Sequence, residues 1–130
     1  MKIYSISRKQ TFPITQEQAW DFFSSPKNLL KITPGNMGFY LLYASGSDKM
    51  YAGKIITYRI QVLPFYATTW VTEITHVQEP YYFVDDQRFG PYAFWHHQHH
   101  FKAINGGVEM TDLVHYRLPF SFLGEVAHAV

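Results

Sequence analysis

"FGPYAFWHHQHHF", residues 89–101, places four of the chain's seven histidines within five positions. Side chains alternate between the two faces of a β-strand, so His97 and His99 share one face and His96 and His100 share the other. Only the first face is bounded at both ends by large aromatic rings. We therefore predict that His97 and His99 point into the protein and that the other two histidines lie on its surface.

The dipeptide Asn-Gly at 105–106 predicts that this strand continues into a two-residue hairpin with a type I′ turn. Such a turn would place His97 opposite Val114 and His99 opposite Asp112 on the next strand. An inward carboxylate beside two inward imidazoles is then the polar centre of the predicted interior.

A metal ion is one interpretation of two imidazoles and a carboxylate on one face. However, no further ligand is adjacent in the sequence, and no helix carries an H-E-x-x-H pair. The simpler interpretation is that Asp112 accepts a hydrogen bond from a buried imidazole, fixes its tautomer and raises its pKa. We expect no metal and no other cofactor, and we assign the trio of His97, His99 and Asp112 to orienting a ligand.

The rest of the chain predicts an α+β protein in which strands and helices are segregated. Strand signals occur in seven stretches: 2–12, 39–45, 50–63, 66–78, 81–89, 92–104 and 108–118. A second short helix is expected after Ser25, with Pro26 at its first position, and the start of a third in 119–130.

The first predicted helix follows the first strand. Thr15 is its expected N-cap, with Gln18 at the capping-box spacing. Ala19, Phe22 and Phe23 form its apolar stripe, which we expect to cover the apolar face of the sheet.

The composition excludes several classes of function. A chain of 130 residues is predicted to be a single domain, 1–130, and a formal net charge of +1 offers no field that would attract nucleic acid or an anionic membrane surface. The chain has no cysteine, no apolar signal sequence and no run of about 18 apolar residues that could span a membrane. We therefore expect a cytoplasmic protein without a nucleic-acid partner and without stable membrane insertion. Its ten tyrosines, eleven phenylalanines and three tryptophans indicate a ring-lined core or cavity, which suits a small hydrophobic ligand.

The chain resembles the START-like SRPBCC superfamily, which shares the helix-grip fold of birch-pollen-type allergens. The similarity is carried by the patterns F-x-D-x-Q, G-P-Y, W-x-H-x-H-x-F and D-x-V-x-Y-x-x-P-F in its second half. These patterns match at Phe83, Asp85, Gln87, Gly90, Pro91, Tyr92, Trp95, His97, His99, Phe101, Asp112, Val114, Tyr116, Pro119 and Phe120. Within the superfamily, the sequence is most similar to small bacterial proteins of the polyketide cyclase/dehydrase-like or coenzyme-Q-binding-like type.

The resemblance implies a seven-stranded curved antiparallel sheet, two short helices after the first strand and a C-terminal helix, which together enclose a hydrophobic cavity. It also implies binding, transport or sensing of a lipid-like or aromatic polyketide-like ligand. Family members carry a long C-terminal helix, whereas only "SFLGEVAHAV", residues 121–130, remains here. A short or truncated helix would leave an aromatic face uncovered, which favours a homodimer or a covering partner.

The candidate ligand-binding residues are the inward rings and polar groups: Tyr58, Trp70, Phe83, Asp85, Trp95, His97, His99, Asp112 and Tyr116. Core packing explains the large rings equally well. The inward carboxylate of Asp85 needs a partner, and the turn at 89–92, Arg59 or Arg88 is the structural alternative to a functional role.

Three functions are compatible with these residues. The one we favour is a non-enzymatic carrier or sensor of a small hydrophobic ligand. The second is a cyclase, dehydratase or isomerase, with His97 or His99 as general base, Asp112 orienting it, and Tyr58 or Tyr116 polarising a carbonyl. The third is an interaction protein whose partner docks on the uncovered face.

Overall fold

Seven antiparallel strands and one complete helix make up the described part of the computed structural model, which covers residues 2–28 and 39–119. In chain order they are β1 Tyr4–Phe12, α1 Gln16–Phe23, β2 Phe39–Ala44, β3 Ile55–Leu63, β4 Tyr66–Gln78, β5 Tyr82–Phe89, β6 Phe94–Ile104 and β7 Gly107–Arg117. Residues 26–28 are also helical, as expected for a second helix that begins at Pro26. The predicted C-terminal helix lies almost entirely in 120–130, outside the described residues. No helix in the described ranges has both the length and the apolar character needed to cross a bilayer. The predicted α+β class and the seven strands are confirmed.

The sheet has the strand order β1-β7-β6-β5-β4-β3-β2, so β2 to β7 form a meander in which each strand pairs with the next. β1 lies beside β7, which brings the first strand of the chain next to the last. Across this pair Ile6 is opposite Val114 and Arg8 is opposite Asp112. Alternate residues of β1 therefore extend the inner face that β6 and β7 present.

The β6–β7 hairpin has the predicted two-residue register, in which Ile104 pairs with Gly107. The predicted type I′ turn is wrong. That turn requires a positive φ at both central residues, whereas Gly106 has a φ of 84° and Asn105 does not have a positive φ. These signs fit a type II turn, in which a glycine at the second central position is sufficient.

The helix α1 begins as the sequence predicts. The Thr15 side chain accepts from the backbone N–H of Gln18, and the Gln18 side chain accepts from the backbone N–H of Thr15. The buried face differs from the prediction, because Trp20 is buried and Phe22 is only partly buried. The indole of Trp20 fills the space above the sheet, where it packs edge-on against Phe83 at 5.7 Å between ring centroids.

The turn between β5 and β6 is closed by the side chain of Gln87. Its amide donates to the carbonyl of Tyr92 at 2.6 Å and accepts from the Tyr92 N–H at 3.1 Å. Gly90 lies against this side chain, and a Cβ at that position would clash with the Gln87 Oε1. The Tyr92 ring packs against Trp70 and Trp95. Gln87, Gly90 and Tyr92 of the matched patterns therefore shape the turn and one end of the core.

The hydrophobic core lies between α1 and one face of the sheet. Its fully buried side chains come mainly from α1 and from β3 to β7, and include Ala19, Trp20, Phe23, Ile56, Ile74, Phe83, Phe101, Val108 and Met110. Burying an aliphatic or aromatic side chain of this size contributes about 1.5–3 kcal/mol relative to leaving it in water. The same face continues past α1 towards β1, where Ile6 is still 47% exposed. This less covered part of the inner face carries the candidate site.

Candidate functional site

Two imidazoles and two carboxylates meet on the inner face of three neighbouring strands. Asp85 belongs to β5, His97 and His99 to β6, and Asp112 to β7. The register places Asp85 opposite His97 and Asp112 opposite His99, but the short hydrogen bonds are diagonal. His99 Nε2 donates to Asp85 Oδ2 at 2.6 Å, and His97 Nε2 donates to Asp112 Oδ1 at 2.9 Å. We call these four residues the His–Asp network.

The imidazoles of the network stack among aromatic rings. His97 lies over His99 with ring centroids 3.7 Å apart and planes 25° apart. On its other side His99 stacks on Phe83, with centroids 4.1 Å apart and planes 13° apart. The Trp95 ring meets His97 edge-on at 6.1 Å. Stacking therefore fixes both imidazoles and directs their nitrogens at the carboxylates.

The carboxylates of the network hold His99 in its charged form. Burial acts to lower the pKa of His99, but the hydrogen bonds and negative charges of Asp112 and Asp85 outweigh it and raise the pKa to about 9. For the two carboxyls, burial acts to raise the pKa, whereas the hydrogen bonds and charges of the histidines hold both pKa values below their usual range. At neutral pH His99 is therefore an imidazolium between two carboxylates.

The charged state of His99 removes it from the candidates for a general base. A histidine whose pKa is about 9 is already protonated at neutral pH and is not available as a general base. The other imidazole, His97, is oriented by Asp112 through Nε2, and its Nδ1 lies 3.8 Å from Asp85 Oδ2. Asp112 thus makes its shorter contact with His97 rather than with His99, whose Nδ1 is 3.4 Å from Asp112 Oδ1.

The partners predicted for Asp85 were wrong. Its carboxylate binds His99 instead of the turn at 89–92 or an arginine. Arg88 pairs with Glu73 at 3.4 Å, and the turn is closed by a glutamine. The reason is alternation: Arg88 is three positions from Asp85 along the strand, so the two side chains leave opposite faces.

The other two histidines of β6 lie on the outer face, as predicted, but they are half-buried rather than fully exposed. His96 Nδ1 donates to Asp86 Oδ1 at 2.7 Å, and His100 Nε2 lies 2.9 Å from the amide oxygen of Gln98. Burial and the positive charge of His99 lower the pKa of His100. These residues form a separate surface network on the opposite side of the sheet.

The ligand atoms that Asp85, His97 and His99 could offer to a metal ion lie within 4.8 Å of one another. Ring stacking opposes a shared ion, because an imidazole binds a metal through a nitrogen lone pair in the plane of its ring. Two rings whose centroids are 3.7 Å apart and whose planes differ by 25° direct these lone pairs side by side rather than at one point. Both Nε2 atoms are also engaged by carboxylates. The geometry favours a hydrogen-bonded network over a metal centre.

A cavity of about 580 Å³ lies over the network. Its lining comes from β1, α1, β6 and β7: Ile6, Arg8, Gln10, Phe12, Phe23, Trp95, His97, His99, Met110, Asp112 and Val114. The apolar side chains surround the polar ones, which are Arg8, Gln10, His97, His99 and Asp112. Arg8 lies opposite Asp112 in the β1–β7 register.

Four of the nine candidate residues line this cavity: Trp95, His97, His99 and Asp112. The other five are not part of its lining: Tyr58, Trp70, Phe83, Asp85 and Tyr116. Phe83 and Asp85 contact His99 and act through it. Tyr58, Trp70 and Tyr116 are buried in the aromatic part of the core. Burial and the charge of Asp85 raise the pKa of the Tyr58 hydroxyl well above its usual value.

Sequence reasoning missed the contribution of β1. Ile6, Arg8, Gln10 and Phe12 all line the cavity. Their spacing of two residues was visible in the sequence, and it places them on one face of a strand. Which of the two faces points inwards is decided by the pairing of β1 with β7, the first and last strands of the chain.

No protein-family model and no curated protein matches the chain. Solved structures do match it along most of its length. A norcoclaurine synthase from Thalictrum flavum is 14% identical, with 99% of this chain and 84% of that chain covered and a TM-score of 0.73. A protein from Arthrobacter aurescens is 12% identical, with 96% and 76% covered and a TM-score of 0.74. A major latex-like protein from Panax ginseng is 15% identical, with 93% and 88% covered and a TM-score of 0.66. At these identities the likeness establishes the architecture alone, and the chain has the helix-grip fold that its sequence predicted.

Proposed function

We propose that the protein binds a small hydrophobic ligand, lipid-like or aromatic, in the cavity over the His–Asp network, and acts as a carrier or sensor. The observation that carries this proposal is the lining: apolar side chains surround a single polar region. Ligand sites in proteins have this composition, with a few placed polar groups that fix orientation.

The size of the cavity supports the proposal. A volume of about 580 Å³ falls within the roughly 300–1,000 Å³ typical of small-molecule sites. The Nε2 atoms of both imidazoles are engaged by carboxylates, so the ligand is not required to satisfy them. A point mutant of the norcoclaurine synthase with the same fold was solved in complex with a transition-state analogue, so a protein of this architecture accommodates a ligand.

Two neighbouring residues of β1 offer a matched test. Ile6 lines the cavity and is 47% exposed, so a larger side chain there can fill the space without distorting a tight core. Ser7 is its neighbour on the outer face and is also exposed. We expect Ile6→Trp to weaken binding of the neutral fluorescent probe N-phenyl-1-naphthylamine at least tenfold and Ser7→Trp to leave it unchanged. Absence of probe binding by the unmodified protein, or equal loss in both variants, would refute the proposal.

A second candidate function is general base catalysis in the same cavity. It is favoured by one pair, His97 held by Asp112, in which both residues line the cavity. Such a pair can remove a proton from a carbon next to a carbonyl and return it, as isomerases and cyclases require. Tyr58 and Tyr116 do not line the cavity, so neither supports the polarising role predicted for it.

Exchange of the methyl protons of 2-acetylnaphthalene for deuterium, followed by NMR in D₂O, tests this second candidate. We expect His97→Gln to lose any protein-catalysed exchange and His96→Gln, on the outer face of the same strand, to retain it. Exchange that persists in His97→Gln, or that never exceeds the rate in buffer, would refute the general-base role. Ligand binding would then remain as the proposed function.

A further inference from the structure

Arg8 is a cation on the cavity wall to which the described residues offer no partner. It lies opposite Asp112 in the β1–β7 register and is one of the lining residues. Within the ranges 2–28 and 39–119, its guanidinium makes no hydrogen bond and no ion pair, and its side chain is exposed. Five N–H donors are therefore available at one side of the cavity.

Asp112 offers the complementary atom. Both imidazoles contact its Oδ1, at 2.9 Å from His97 and 3.4 Å from His99, which leaves Oδ2 without a partner among the described residues. No buried side-chain nitrogen or oxygen in those residues lacks a hydrogen-bond partner. The Oδ2 atom is consequently accessible, and the cavity is the space that Asp112 lines. It is an ionised acceptor, because the histidines hold the pKa of Asp112 below its usual range.

Charges of both signs surround this polar region. Arg8 and His99 carry two positive charges, and Asp85 and Asp112 carry two negative charges. An anionic ligand would be attracted by Arg8 but repelled by the carboxylate of Asp112. A cationic ligand would be attracted by Asp112 but repelled by Arg8. A neutral group that accepts from Arg8 and donates to Asp112 satisfies both residues at once.

We propose that Arg8 and Asp112 together recognise an uncharged head group in which a carbonyl oxygen lies beside an N–H or O–H. A primary or cyclic amide and a hydroxy-ketone both have this arrangement. The proposal rests on the function proposed above and specifies its ligand: an amphiphile with an apolar body in the ring-lined part of the cavity and this neutral head between β1 and β7.

Four naphthalenes of nearly equal shape separate the contributions of the body and the head. They are 2-isopropylnaphthalene, 2-acetylnaphthalene, naphthalene-2-carboxamide and naphthalene-2-carboxylate. The first has no polar group, the second only an acceptor, the third an acceptor beside a donor, and the fourth a negative charge. Dissociation constants are measured by titration calorimetry for the unmodified protein, Arg8→Met, and Lys9→Met as the outward-facing control.

We expect Arg8→Met to weaken binding of the carboxamide and of 2-acetylnaphthalene about tenfold, because both accept a hydrogen bond from Arg8. Binding of 2-isopropylnaphthalene, which has no acceptor, should be unchanged. Lys9→Met should change none of them. Asp112→Asn should weaken binding of the carboxamide more than binding of 2-acetylnaphthalene, since only the carboxamide donates a hydrogen bond to Asp112.

The other outcomes are decisive in different ways. If naphthalene-2-carboxylate binds more tightly than the carboxamide and loses that advantage in Arg8→Met, the site selects anions and the neutral head is refuted. If Arg8→Met affects no probe while 2-isopropylnaphthalene still binds, the head proposal fails and the cavity function stands. If none of the four naphthalenes binds, both proposals fail together.

Discussion

His99 Nε2 lies 2.6 Å from Asp85 Oδ2, although the residue directly opposite Asp85 across the β5–β6 pair is His97. The bond is diagonal because the two imidazoles stack and each reaches past its register partner. It leaves a charged pair in the interior, since His99 is 7% exposed and the side chain of Asp85 is 15% exposed. The stability of the protein should therefore depend on the protonation of this pair.

The first prediction concerns alkaline pH. The pKa of His99 is raised from 6.5 to about 9, so the folded state binds this proton more tightly than the unfolded chain does. The resulting stabilisation, about 3 kcal/mol, is fully present below pH 6.5 and is lost as the pH rises through 9. We expect urea denaturation to show a falling free energy of unfolding from pH 7 to 9.5. The slope should vanish in His99→Gln, and an equal slope in that variant would assign the effect to another group.

The second prediction concerns the buried carboxylate. Asp85→Asn removes the charge that binds His99 and leaves a buried imidazolium with less compensation, which should cost about 3 kcal/mol of unfolding free energy. Asp86→Asn is the matched control, because Asp86 binds His96 on the half-exposed outer face and should cost below about 1 kcal/mol. Chemical denaturation of the two variants measures the difference. Equal losses would mean that burial does not distinguish the two His–Asp pairs.

The third prediction concerns the turn between β5 and β6. A methyl group added in Gly90→Ala would displace the Gln87 side chain that holds both backbone groups of Tyr92. We expect a loss of about 1–3 kcal/mol, because two hydrogen bonds are disturbed. In a Gln87→Ala background the same substitution should be nearly neutral. A double-mutant cycle compares the loss of unfolding free energy for Gly90→Ala in the unmodified protein and in Gln87→Ala. Losses that add within about 0.5 kcal/mol would contradict the coupling between the two residues.

The fourth prediction tests the corrected hairpin turn. Proline is well suited to the first central position of a type II turn, whereas a type I′ turn needs a positive φ that proline does not adopt. Since Asn105 has no positive φ, Asn105→Pro should leave the hairpin intact and stabilise the protein by about 0.4–1 kcal/mol. Thermal denaturation measures the change. A marked destabilisation would contradict the type II turn and favour the type I′ turn.

Much of this protein could be predicted from local sequence. The period of two assigned each residue of β6 to a face, and the Asn-Gly turn set the register that brings His99 opposite Asp112. The cap of α1 was equally local, because Thr15 and Gln18 are three residues apart. These features depend only on backbone geometry within a few residues, so they hold whatever the rest of the chain does.

Other features were decided only by the tertiary structure. The direction of Trp20 depended on the space above Phe83, and the partner of Asp85 depended on how two imidazoles stack. Above all, the place of Arg8 in the cavity wall depended on β1 pairing with β7, about a hundred residues later. Pairing between strands so distant in sequence is determined by which edge of the sheet remains free and which apolar face must be buried, and no local pattern contains that information.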